Sequence, residues 1–364
     1  MSSDYTLYGM QPSYYTAKVR GYLAYKRIPY TETYSFEAAV NVIAARTKKF
    51  MLPTVITPDD KTLQDSTDII DYLEGKHPER PTYPTDPTLM MLCRLFEVFA
   101  DECMVYPGLH YRWGFADTHE WALREFAVNG GRNMPLADAV KITRGFADKI
   151  NNYLPVLGLD KPEIQQATVD HYKALLQALE QHLAKVPYLL GDAPCLADFA
   201  MHGPFWGHLY RDHGPANIDL KENAPNVCIW TENLHSGFGI KESQNWRIEP
   251  TLLPVLKELA ATYSTLVADT YQHLAEFLVD GNSGDKAPVM GNEIQTSIKG
   301  IPLKRRASVY NGWKISRWLE SYYQIPDDQR DEAEQLLADL NLINTTKVDK
   351  SWNLEKKDYE LYFV

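Results

Sequence analysis

Four prolines in eleven residues, "HPERPTYPTDP" at 77–87, constrain this chain more than any other stretch. Proline fixes its own φ and has no amide hydrogen, so neither a helix nor an inner strand runs through such a segment. It predicts a stiff, extended connector with separate packing on either side. At 364 residues the chain is long enough for two or three units, each with its own core.

The residues before the connector alternate between strand and helix patterns. "YTLY" alternates ahead of Gly9, "SYYTAKVRGYLAYKR" spaces Val19, Tyr22, Leu23 and Lys26 as a helix does, and the short β-rich "IPYTETY" follows. Residues 36–47 read as helix. "TVIT", the turn "PDDK" and "KTLQ" predict a hairpin. "STDIIDYLEGKHP" is a helix with Ile69, Ile70 and Leu73 on one side, closed by Gly75 and Pro78. The order over 1–76 is therefore βαβ, α, ββ, α. From 88 to 237 the pattern is helical throughout, as in Val169, Tyr172, Leu175, Leu176, Leu179 and Leu183.

Residues 238–364 change character again. A long helix precedes two pairable strands, "EIQTSIKG" and "IPLKRRASVY", then two helices and a strand-like "YELYFV". Trp313, Trp318, Tyr322, Tyr323, Leu336, Leu337 and Leu340 carry too much apolar surface for a disordered tail. An unpaired "YELYFV" would also be an aggregation-prone edge. The segment is expected to be an integral α+β extension docked on the helical unit. Its "LKRRAS" run reads as a solvated face.

Charge and cysteine usage exclude several function classes. The net charge of −11 argues against a nucleic-acid surface. Cys93, Cys103, Cys195 and Cys228 are far apart and form no CxxC, which excludes a zinc ribbon or disulfide scaffold and fits a reducing compartment. "MSSDYTLYGM" lacks the pattern of a signal peptide, and no uncharged apolar run is long enough to span a membrane. A cytoplasmic protein without membrane or nucleic-acid partners is expected. His202, His208 and His213 cannot converge on a metal from one helix. The first two lie about 240° apart around it, and the outer two are about 16 Å apart along it.

Two short motifs carry the chemistry. "MLPTV" puts Pro53 at the mouth of a β-branched strand, where a proline belongs at an edge, a first position or a cis turn. "LQDSTDII" opens a helix with Asp65, Ser66 and Thr67, whose unpaired first amides favour an anion. Together they suggest a cradle for a small ligand, although Asp65 and Ser66 also suit plain helix capping.

A βαβ–α–ββ–α unit, a proline-rich connector and an all-helical second unit together resemble the cytosolic glutathione S-transferase family. "MLPTV" is similar to the family's usually cis proline, whose preceding residue bonds the cysteinyl backbone of glutathione, which implicates Leu52 and Pro53. "QDS" stands where Glu-Ser or Gln-Ser usually holds the γ-glutamyl end, which implicates Asp65 and Ser66. "PYLLGDAPCLADFAMHGPFW" is similar to the second-domain signature "YL.G…S.AD", with Cys195 in place of the usual Ser or Thr cap, so that Asp198 must carry more of that helix start. "APNVCIWTENL" is similar to the helix that follows. The likeness covers residues 5–235 and leaves the extension unassigned.

The resemblance implies an α+β protein. A thioredoxin-like domain at 1–76 is followed by an all-α domain at 88–237 and the extension at 238–364. It implies glutathione as co-substrate, no metal, a homodimer, and transfer of the glutathione thiolate to a small hydrophobic electrophile. A non-catalytic binding or scaffold protein is the alternative, and a glutathione-dependent isomerase or dehalogenase would share the same site. Activating a thiol of pKa ~8.5 by two units takes roughly 2.7 kcal/mol of preferential thiolate stabilisation. The family places a hydroxyl or cysteine for this at the start of the first helix. Aligning "KVR" (18–20) with the family's "SPYSxKVR" puts Ser13 there, with Tyr14 where proline is usual. Tyr8, Tyr14 and Thr16 are its rivals. No cysteine precedes Cys93, so disulfide-exchange chemistry is not expected. Tyr106, His110, Tyr111 and Trp113, on the second domain's first long helix, are the expected electrophile pocket, and the extension is expected to cover or narrow its mouth.

Overall fold

The computed structural model describes residues 4–240 and 243–364; residues 1–3 and 241–242, which the domain assignments include, lie outside the described residues. β1 (Tyr5–Tyr8), α1 (Tyr14–Lys26) and β2 (Tyr30–Thr33) form a parallel βαβ unit. α2 (Phe36–Ala38) and α3 (Ala45–Thr47) follow, joined by a π-helical stretch, Ala39–Ala44. β3 (Thr54–Ile56) and β4 (Thr62–Gln64) are the expected hairpin, and β3 pairs antiparallel with β1. The sheet order is β2-β1-β3-β4, and α4 (Ser66–Lys76) closes the domain. Ile69, Ile70 and Leu73 are fully buried, as their shared face requires.

α1 has hardly any solvent face. Val19, Tyr22 and Leu23 pack inward on the domain core, while its other side meets the second domain. That domain begins with α5 (Pro87–Val98), α6 (Val105–Trp113), α7 (Ala116–Gly130), α8 (Leu136–Tyr153) and α9 (Pro162–Leu183). It ends with α10 (Leu196–Pro204), α11 (Pro215–Asn223) and α12 (Pro225–Ser236). α10 and α12 lie against α1. Cys195 caps α10 weakly, and Asp198 takes over the start of the helix. It accepts from Cys195 N at 3.0 Å, Leu189 N at 2.9 Å and Trp230 Nε1 at 2.9 Å. Two more π-helical stretches interrupt the domain, Phe99–Cys103 before α6 and Phe205–Tyr210 after α10.

The extension consists of α13 (Leu252–Phe277), the hairpin β5–β6 (Met290–Ile298, Ile301–Ser308), α14 (Val309–Tyr323), α15 (Arg330–Asp339) and a second hairpin, β7–β8 (Leu354–Lys357, Glu360–Phe363). It joins the main core: Leu256, Tyr263, Trp318 and Leu319 are essentially buried. Its docking is broader than expected. α13 lies on α9 and α14 on α5, both in the helical domain. The β7–β8 hairpin instead reaches the first domain, where Lys49 pairs with Glu360 at 2.7 Å and Tyr359 Oη donates to Thr62 O. "LKRRAS" is not a uniformly solvated face either. Strand alternation leaves Lys304 exposed and turns Arg305 inward, where it donates to Tyr106 Oη at 3.0 Å.

Candidate functional site

A cavity of about 680 Å³ opens where the start of α1, the segment before β3, α6 and α8 meet. Ser13 and Leu52 both line it, so two motifs some forty residues apart in sequence share one wall. The Leu52–Pro53 peptide bond is cis, as the family pattern implies. Gln64 braces this turn from below, donating to Met51 O and Thr54 Oγ1.

Ser13 is the N-cap of α1. Its Oγ accepts from Thr16 N at 3.3 Å and from the Thr16 hydroxyl at 2.8 Å. With both acceptor positions filled, the Ser13 hydroxyl proton is free for a group in the cavity. Thr16 is fully buried and supports Ser13 from behind.

The two tyrosines are placed differently. The Tyr14 ring lines the cavity, but its hydroxyl donates to Ala100 O, and burial pushes the phenol well above its ordinary value. Tyr8 ends β1, half-buried and paired across the sheet with Thr33 and Thr54, and is not among the cavity-lining residues.

Arg112 anchors the floor. It forms a two-pronged pair with Asp212 at 2.6 and 2.8 Å and donates to Gly207 O. Its Nη1 reaches Pro12 O at 2.7 Å, the carbonyl next to Ser13, and His208 Nε2 at 2.8 Å. An arginine only donates, so Nε2 must accept and the His208 proton sits on Nδ1, facing Gly108 O at 2.8 Å. Burial, reinforced by Arg112, keeps this imidazole neutral. His208 is therefore a fixed part of the scaffold, with no free base to offer. His202 is buried against Trp206 and His235, and His213 lies at a separate surface depression. Among the described residues no group of three His, Cys, Asp or Glu is arranged to hold a metal.

Of the four aromatic positions expected on α6, Trp113 alone lines the cavity. Tyr106 is buried and bonded to Arg305, His110 packs against Phe115, and Tyr111 faces a different depression beside Val169. α6 instead presents Val105, Leu109, Arg112 and Trp113. The opposite wall went unread in the sequence: Phe36 and Phe50 on one side, Ile142, Phe146 and Ile150 of α8 on the other. The spacing of those last three by four was a signal, because it forms an apolar stripe on α8. The lining residues run from Met10 to His208, so the extension has no part in this mouth.

Asp65 and Ser66, at the start of α4, are not among the residues lining this cavity. Asp65 caps α4 with φ 89°, a conformation costly for a side chain with a Cβ, and its Oδ1 accepts from Thr67 N at 2.8 Å. Ser66 is buried at the first helical position.

Two family models match: the glutathione S-transferase N-terminal domain over residues 7–81 and its C-terminal domain over 146–236. The chain belongs to the glutathione S-transferase family. Membership carries the transferase class and names no electrophile. No curated protein matches the sequence. Among solved structures, the β-etherase LigF from Sphingobium sp. strain SYK-6 is 20% identical, covering 70% of this chain and 99% of its own, with a TM-score of 0.44. A glutathione S-transferase from Methylobacterium radiotolerans in complex with glutathione sulfonate is 18% identical over 66% and 96%, with a TM-score of 0.37. FzlA from C. crescentus is 19% identical over 70% and 92%, with a TM-score of 0.41. With TM-scores of at most 0.44, none of these three bears on what this transferase acts on.

Proposed function

We propose that this transferase conjugates glutathione thiolate to a hydrophobic, aromatic-sized electrophile, with Ser13 donating to the sulfur. The free Ser13 proton at the cavity wall carries the reading. Leu52 would pair with the cysteinyl backbone beside the cis proline, and the start of α4 would hold the γ-glutamyl end. The thiol proton leaves to solvent through the open mouth, since His208 is already engaged. The new S–C bond then forms at the electrophilic carbon while the leaving group departs with its electron pair. The lining of Trp113, Phe126, Phe146 and Ile150 favours an apolar partner.

The reading includes a cytoplasmic homodimer. All four cysteines are free, and no described helix is long and apolar enough to cross a membrane. Sedimentation tests the dimer. Titrating the thiolate absorbance of bound glutathione in wild type and Ser13→Ala tests the chemistry. The variant should titrate closer to the free thiol value of ~8.5. Coincident curves would remove Ser13 from the mechanism, and a wild type that does not bind glutathione would end the transferase reading.

A further inference from the structure

A second, smaller cavity of about 100 Å³ lies next to the first. The segment 49–52 divides them by simple alternation: Phe50 and Leu52 face the large cavity, Lys49 and Met51 the small one. An extended thiol peptide along this segment would put its sulfur beside Ser13 and its far end in the small cavity. One wall of the small cavity is Gln64 and Asp65. The other comes from the extension, including Tyr310 and Lys356.

The charges in this chamber suit a zwitterion. Asp65 Oδ2 accepts from the Tyr310 hydroxyl and meets Lys356 Nζ at 3.3 Å. Burial would raise the Asp65 carboxyl, but Lys314, Lys356 and Tyr310 outweigh it and hold the carboxyl well below its ordinary value. Lys356 is held more firmly from behind, by Asp68 at 2.8 Å and by the faces of Tyr310 and Trp313. Its longer contact, to Asp65, is the one facing the cavity. A γ-glutamyl end carries an α-ammonium and an α-carboxylate on one carbon. An acid and a base held side by side match that pair, and the base in contact with Asp65, Lys356, comes from the extension.

We propose that the extension completes the thiol co-substrate site in cis. Lys356 takes the α-carboxylate of the γ-glutamyl group, and Tyr310 orients Asp65 toward its α-ammonium. This rests on the transferase reading above. The bound zwitterion inserts between Lys356 and Asp65, replacing their direct contact with two charge-assisted bonds of its own. The site therefore selects a γ-glutamyl thiol over a thiol without the α-carboxylate.

The test uses the full chain and two thiols: glutathione, and 4-aminobutyryl-cysteinyl-glycine, which is glutathione without the α-carboxylate. Calorimetry on wild type, Lys356→Gln and Lys356→Arg gives the affinities. Lys356→Gln should lose roughly 10- to 100-fold for glutathione and almost nothing for the analogue, while Lys356→Arg keeps most of the glutathione affinity. Equal glutathione affinity in wild type and Lys356→Gln would overturn the proposal. So would an equal loss for both thiols, which marks a merely structural lysine. If the wild type binds neither thiol, the parent reading falls and this one with it. Tight glutathione binding unaffected by Lys356→Gln removes this proposal alone.

Discussion

Lys314→Met should destabilise the protein by about 3–5 kcal/mol, although residue 314 is not among those lining the large cavity. Lys314 is almost fully buried on α14. Its Nζ sits 2.6 Å from Asp101 Oδ2 and donates to Thr67 Oγ1. The same Asp101 oxygen takes Lys18 Nζ at 2.7 Å, and Lys18 also holds Glu97 at 2.8 Å. Arg94 bridges Glu97 to Asp71, and Arg317 closes on Asp71 from the extension. The lysines and carboxylates at the centre balance two against two. At 2.6 Å and an effective dielectric of ~20, the Lys314–Asp101 attraction is roughly 6 kcal/mol before desolvation. Methionine keeps the length of the stem and removes only the charge, leaving one lysine for two buried carboxylates.

The assay is urea unfolding followed by tryptophan emission, comparing midpoints at unchanged slope. Lys314→Met combined with Asp101→Asn restores the balance and should recover at least half of the loss. The pH dependence adds a sign check. Burial would lower the Lys314 ammonium, but Asp101, Glu97 and Asp65 outweigh it and raise it above its ordinary value. Its contribution is therefore complete below the unfolded value of ~10.4 and is lost only as pH rises through the higher folded one. The deficit of the variant should be the same at pH 7 and pH 9. A loss under about 1 kcal/mol, or no recovery in the double variant, would refute the view that paired buried charge fixes the extension.

Other outcomes follow from single side chains. Burial, with Asp101 and Asp65 nearby, raises the Glu102 carboxyl to about 7, so stability falls as pH climbs from ~4.5 to that point. Glu102→Gln should be more stable than wild type by up to about 3 kcal/mol at pH 8 and by under about 1 near pH 5 in thermal melts; equal melts at pH 8 would contradict it. Phe146 lines the cavity while 40% exposed, so Phe146→Ala should raise KM for a bulky aromatic electrophile, leave KM for glutathione alone and cost little stability. Parallel changes in both KM values would argue against α8 as the electrophile wall.

The legible parts of the site were local ones. A proline before a β-branched strand, a Pro-Asp turn between two short strands and an Asp-Ser helix start each act within a few residues, and all three sit where their chemistry puts them. Ser13 was reachable only through the resemblance, by aligning "KVR" with the family's pattern, and the structure makes it the N-cap of α1. Three of the four residues expected from α6, all but Trp113, do not line the cavity, for a physical reason. Seven of its nine residues are buried, so burial periodicity does not single out the side that meets a cavity. The π-helical stretch Phe99–Cys103 just before it adds to the problem. One extra residue in a turn rotates everything downstream by about 100°, and no composition signal announces it.

The docking of the extension was illegible for a different reason. Its decisive contacts join residues far apart in sequence: Arg317 to Asp71, Lys314 to Thr67 and Asp101, and Lys356 to Asp65 and Asp68. Read alone, "NGWKISRWLESYY" and "NLEKKDYE" are ordinary amphipathic pieces whose lysines and arginines belong in solvent. They turn inward because α4, the end of α5 and the π-helical stretch after it present Asp65, Asp68, Asp71, Glu97 and Asp101, more carboxylates than Lys18 and Arg94 balance. The arrangement also acts on the cleft. Two domains joined by one connector are free to shift against each other unless their interface is extensive. Here a third element is bonded to both sides of that interface: α14 holds Thr67 and Asp71 of the first domain and Asp101 of the second. Relative motion of the domains must break or carry along these buried ion pairs. These bonds restrain the separation between Ser13, the N-cap of α1, and the cavity wall of α6 and α8, and in the proposed reaction such preorganisation would lower the entropic cost of bringing a thiol and an electrophile together.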